Sequence, residues 1–234
     1  MIRWAICALL VPQIIWAQEF VTVEGRLSDD AFYRAVACGA SPGDACTKPF
    51  LRWPTDTRED LTVGLASVVA TLPPYRRRLY EAGLTDAVAE INGLGAGLTL
   101  RRTDRDPQIA IHVVAAAPGT VMRNTGVESL DGERLALGRV ALWATDGAIT
   151  RAVIAISAKA RRREIRHILL EELTQSMGLM TDVAGAAYHR SIFAELGNSV
   201  VRLQGQDAMA LRRHYGGDAQ DDGPDDDAQD DRDS

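Results

Sequence analysis

The sequence predicts an α/β (α+β) fold: a twisted mixed sheet with one long amphipathic helix late in the chain and a shorter helix closing it. Three observations lead there. Residues 59–115 read strand, helix, strand, strand. Residues 139–157 read as two strands around an Asp-Gly turn. Residues 161–177 then run without Pro or Gly to a stop at Gly178, the pattern of a helix ended by a left-handed glycine.

In chain order, residues 1–17 read as a secretory signal peptide: Arg3, an apolar run, then the small Ala17 before Gln18. Its removal leaves no run long and apolar enough to span a membrane and points to a periplasmic or secreted protein. Cys7 leaves with the leader. Cys38 and Cys46 remain as an even pair around a seven-residue loop, and in an exported chain they read as a disulfide. The spacing does not fit C-x-x-C redox chemistry, and no companion metal ligands stand nearby. Residues 18–58 form a lead-in with a strand near VTVEGRL, a helix capped by Ser28, and Phe50, Trp53 and Pro54 to dock it. It either pads the main domain or covers a cleft.

The main domain spans residues 59–216. Strands are expected at 59–67, 98–104 and 109–115, with a helix over 75–92 introduced by Pro73-Pro74. The order suits a sheet with a crossover helix. His112 alternates with apolar neighbours and reads as a sheet-face histidine. Residues 118–138 are a loop with a short helix or edge element. Strands 139–144 and 148–157 are joined by Thr145-Asp146-Gly147, a hairpin signal.

On the helix at 161–177, Ile165, Ile168, Leu169, Leu170, Leu173 and Met177 fill an apolar arc from about 300° through zero to about 140°, counted from Ile165. Glu172 falls at about 340°, inside that arc, while Glu171 and Gln175 fall on its border at about 240° and 280°. A carboxylate inside an apolar arc must be paired, protonated or bound to something. Either Glu172 sits at a shallow edge and pairs with an arginine, or Glu171, Glu172 and Gln175 line a cleft.

These residues resemble a family. The run EELTQSMGLMTD, residues 171–182, is similar to the HExxHxxGxxHD helix of metzincin metallopeptidases. Glu171, Gln175 and Thr181 take the three histidine places, Glu172 matches the general-base glutamate, Gly178 the turning glycine and Asp182 the following aspartate. Ser191-Ile192-Phe193 resembles the turn beneath the metal, with Phe193 in place of methionine. LQGQDAMALRRHYG, residues 203–216, resembles the closing helix. The likeness covers residues 59–217 and extends to a bacterial family of secreted, uncharacterised zincin-like proteins with this Glu-Glu-x-x-Gln version.

The resemblance implies a zincin-like sheet, and a strand at the upper edge of the cleft able to pair with an extended peptide. It implies a metal at Glu171, Gln175, Thr181 and Asp182, with Glu172 as base. The donors depart from that role: amide and hydroxyl oxygens replace imidazoles, and an oxygen set suits Ca²⁺ or Mg²⁺ better than zinc. The expectation is therefore a pseudoenzyme that binds a peptide or envelope protein without a cofactor. The alternative is an atypical peptidase using zinc or another divalent cation.

Residues 217–234 carry nine Asp and one Arg and are expected to be a disordered acidic tail. The whole chain has 26 basic and 32 acidic residues, net −6; without the tail it has 25 and 23, net +2. A nearly neutral body argues against a nucleic-acid surface.

Overall fold

A computed structural model describes residues 13–16, 19–196 and 199–216. The acidic tail lies outside the described residues, as does the expected leader apart from 13–16.

The main sheet has six strands: β1 (Gln13–Trp16), β3 (Leu61–Val68), β4 (Leu100–Arg102), β5 (Ile109–Val114), β8 (Gly138–Thr145) and β9 (Ala148–Ser157). Their order is β1-β8-β9-β5-β3-β4. β4, β3, β5 and β9 are parallel, β8 runs antiparallel to β9, and β1 runs antiparallel to β8. The architecture is thus mixed α/β, as expected. The β8–β9 connection is tight because Asp146 and Gly147 both take positive φ, 50° and 78°, the geometry of a two-residue primed turn.

Among the described residues there are five α-helices: α1 (Asp29–Cys38), α2 (Thr55–Arg58), α3 (Pro74–Gly93), α4 (Ile165–Gln175) and α5 (Gln206–Tyr215). Ser28 caps α1 by accepting from the Ala31 amide. α3 links the parallel strands β3 and β4. It meets α4 closely at Gly83, where a Cβ would stand 2.7 Å from Leu169 Cδ1. α4 begins at Ile165 rather than at 161, because the Arg161 amide donates to the Glu164 carboxylate in a preceding turn. Residues 118–138 hold no helix but a short antiparallel pair, β6 (Thr120–Val121) and β7 (Arg134–Leu135). Two further strands pair in parallel beside the sheet: β2 (Glu19–Thr22) and β10 (Thr181–Ala184). None of these helices is long and apolar enough to cross a membrane.

The lead-in shares the main core. Phe32, Tyr33, Leu51 and Trp53 are buried in one cluster with Leu169, Leu173, Phe193 and Tyr215. The Trp53 indole donates to Ser176 O at 2.9 Å, at the end of α4. Cys38 and Cys46 form the disulfide.

His214 is fully enclosed. Its Nε2 donates to Leu51 O at 2.8 Å and its Nδ1 stands 3.1 Å from the Tyr33 hydroxyl, which donates to it when the ring is neutral. Burial, reinforced by Arg52, lowers its pKa to about 3. The unfolded chain binds a proton there below about 6.5, whereas the native state does not. Its contribution is thus present above that pH and lost as pH falls toward 3. The stability gap between the native sequence and His214→Asn should narrow by about 2 to 3 kcal/mol between pH 7 and pH 4.5. Urea unfolding at both pH values checks this, and a constant gap would contradict it.

Candidate functional site

The site lies between the start of β8 and the outer face of α4. A cleft of about 500 Å³ is lined by residues 136–139 on one side, by His167, Glu171, Glu172 and Gln175 of α4 below, and by Asp182 and Glu195 opposite. Among the described residues, none that lines it comes from the lead-in.

Each side chain arrives for a local reason. The i, i+4 spacing sets His167 against Glu171, with His167 Nε2 3.1 Å from the carboxylate, while its Nδ1 meets Val200 O at 2.7 Å. Burial opposes charging of this ring, but the Glu171 bond and charge outweigh it and raise its pKa. Gln175, one turn on, donates its amide to Asp182 Oδ1 at 3.0 Å. Gly178 then takes φ +95° and turns the chain into β10.

Strand alternation along β10 decides which residue faces the cleft. Asp182 does. Thr181 is buried on the other face, where Lys48 Nζ donates to its hydroxyl at 3.0 Å. The pattern aligned Thr181 with the third histidine, but the residue that meets Gln175 is Asp182.

Glu172 is 6% exposed. It leans on the first residue of β8: a Cβ on Gly138 would stand 2.1 Å from Glu172 Oε1. Glycine at 138 is what leaves this seat open. Oε2 has no hydrogen-bond partner among the described residues. Burial first, then the charges of Glu171 and Asp182, push the Glu172 carboxyl well above the usual range, with Arg139 pulling the other way. Burial, Glu171 and Glu195 likewise push Asp182 well up, against the Gln175 bond and Lys48. Glu195 is raised by burial and Glu171. The Arg139 guanidinium is held by Glu133 Oε2 at 2.8 Å and by Arg134 O.

Beneath α4, Ser191-Ile192-Phe193 is tied to α5. Ser191 Oγ donates to Asp207 Oδ1 at 2.6 Å and the Ile192 amide to Oδ2 at 2.8 Å. Phe193 is fully buried, edge-on to Phe32. Sequence reading gave Asp207 only as a match to the closing helix, with no role, and missed Arg139 and Glu195. Glu195 follows the turn at Ser191-Phe193 and carries no helical or strand periodicity that would have flagged it. The other histidines lie elsewhere. His214 is in the core, His112 is on the sheet bonded to Ser67 Oγ at 2.8 Å, and exposed His189 is bonded to Ala186 O.

A resident zinc does not fit these residues. The Gln175 amide already donates to Asp182, Glu171 is paired with His167, and Thr181 faces away. Among the described residues, no three His, Cys, Asp or Glu side chains stand close enough to hold one ion together.

The upper rim is β8, and its outer edge is filled. Residues 13–16 pair with it antiparallel, Gln13 opposite Ala144 through Trp16 opposite Ala141. The pairing stops short of Gly138 and Arg139, which border the cleft.

A family described as "Protein of unknown function (DUF2927)" matches residues 30–218, from the first turn of α1 past the end of α5. No curated protein matches the chain.

Proposed function

The chain belongs to the DUF2927 family of proteins of unknown function, and we propose that it is an exported, zincin-like relative of the metzincin peptidases that has lost zinc chemistry and captures an extended peptide along β8. The observation that carries this reading is the antiparallel seating of residues 13–16 on the β8 edge, beside an acidic cleft. Backbone pairing of this kind supplies affinity from main-chain bonds, and pockets for alternate side chains supply selectivity. Removal of a leader ending at Ala17 leaves that edge open. The Cys38–Cys46 disulfide supports export, because such bonds persist in oxidising compartments. The partner is then a peptide segment of an envelope or secreted protein.

A second reading is an atypical hydrolase with Glu172 as general base. It is favoured by the unpartnered Glu172 Oε2 and by a raised pKa suited to taking up a proton. One experiment separates the two. The protein purified after export is mixed with a peptide of sequence QIIWAQE, residues 13–19, and with a copy N-methylated at alternate residues. The binding reading predicts saturable binding that N-methylation weakens at least about tenfold, and an intact peptide by mass spectrometry, because several edge hydrogen bonds are lost at about 1 kcal/mol each. Cleavage that disappears in Glu172→Gln instead establishes the hydrolase.

A further inference from the structure

Resting on that strand-addition reading, we propose that the captured peptide presents an arginine or lysine opposite Gly138, with its cationic end in the acidic cleft.

The register fixes the position. Opposed residues in an antiparallel pair share a face. With Trp16 opposite Ala141, a strand continuing in the same register sets its next three residues opposite Val140, Arg139 and Gly138. Val140 and Leu142 lie in the main core with Ile168 and Leu169 of α4, and Gly138 lies against Glu172. The residue opposite Gly138 is therefore on the α4 side, at the mouth of the cleft and beside Glu172.

The charge of the cleft selects what enters. Five carboxyl groups line it, those of Glu164, Glu171, Glu172, Asp182 and Glu195. The two basic groups there, Arg139 and His167, are engaged with Glu133 and Glu171. Among the described residues, Glu172 Oε2 has no hydrogen-bond partner. A guanidinium or ammonium supplies several donors and a positive charge together. The upward pKa shifts of Glu172, Asp182 and Glu195 each include repulsion from Glu171, which a bound cation would lessen.

The test uses the protein purified after export and the peptides QIIWAQX, with X as arginine, lysine, citrulline or glutamate. Citrulline keeps the shape of arginine and removes its charge. Binding is read by calorimetry in 0.1 M salt, with and without chelator. The expected result is arginine and lysine peptides at least about tenfold tighter than citrulline, and glutamate weaker still. In Glu172→Gln, and separately in Glu171→Gln/Glu195→Gln should the buried variant misfold, the arginine preference falls below about threefold while citrulline binding persists.

Equal affinity for arginine and citrulline overturns the proposal but leaves strand addition standing. Failure of every peptide to bind overturns both. Calcium, magnesium or zinc ions added alone, binding with an affinity that Glu172→Gln abolishes while the arginine preference is absent, assign the cleft to a metal ion and overturn the proposal.

Discussion

Gly178→Ala is expected to lower the unfolding free energy by about 3 to 5 kcal/mol, from left-handed strain and a forced backbone shift together. Gly178 has φ +95°. A Cβ there would stand 1.9 Å from Leu51 O and 3.1 Å from His214 Nε2. The alanine must push the lead-in away from the end of α4, and it disturbs the His214–Leu51 bond in doing so. A loss of this size is a large share of the stability of an ordinary domain. Gly93→Ala is the control. It lies at the end of α3 with nothing within 4 Å of the added carbon, so it should be neutral or stabilise by up to about 1 kcal/mol. Denaturant unfolding of both variants gives the comparison. Similar effects at the two positions would show that the packing at Gly178 is not as described.

Asp207→Ala should destabilise by about 2 to 4 kcal/mol, because it removes the acceptor of the enclosed Ile192 amide and one hydrogen bond of Ser191. Part of that loss is returned. The Asp207 carboxyl is itself strained by burial, which raises its pKa to about 6 against the two hydrogen bonds that lower it. A carboxyl whose folded pKa is raised stabilises the fold below its unfolded value and loses that contribution as pH rises through about 6. Asp207→Ala should therefore cost less at pH 7.5 than at pH 4.5. Ser191→Ala/Asp207→Ala should cost less than the sum of its single variants, because both changes remove the same Ser191–Asp207 hydrogen bond. Additive losses at every pH would mean the turn and α5 are not coupled through this carboxylate.

Much of the fold was legible because it rests on local signals. The wheel placed Glu172 inside an apolar arc and Glu171 and Gln175 on its border; Glu172 and Gln175 are buried at the cleft, and Glu171 half-buried beside them. Ser28 and Asp146-Gly147 did as their chemistry dictates. What escaped depends on partners far along the chain. β10 exists because β2, some 160 residues earlier, pairs with it, and four residues without helical or alternating pattern gave no local sign of a strand. That pairing decides that Asp182, and not Thr181, faces Gln175, which a linear motif cannot reveal. The lead-in joins the core through Tyr33–His214 and Trp53–Ser176, contacts invisible to periodicity. The proposed docking edge rests on family likeness rather than on local sequence, because an edge strand and a central strand differ in neighbours rather than in composition.

Hydrogen exchange along β8 tests the central claim most directly. In the protein purified after export, edge-facing amides between residues 138 and 145 should exchange rapidly, and addition of the QIIWAQR peptide should slow them strongly while leaving β5 unchanged. Protection confined to β8 would establish that a peptide joins the sheet there. If those amides keep the same exchange rate with saturating peptide, β8 is not the docking edge and the proposed function is wrong.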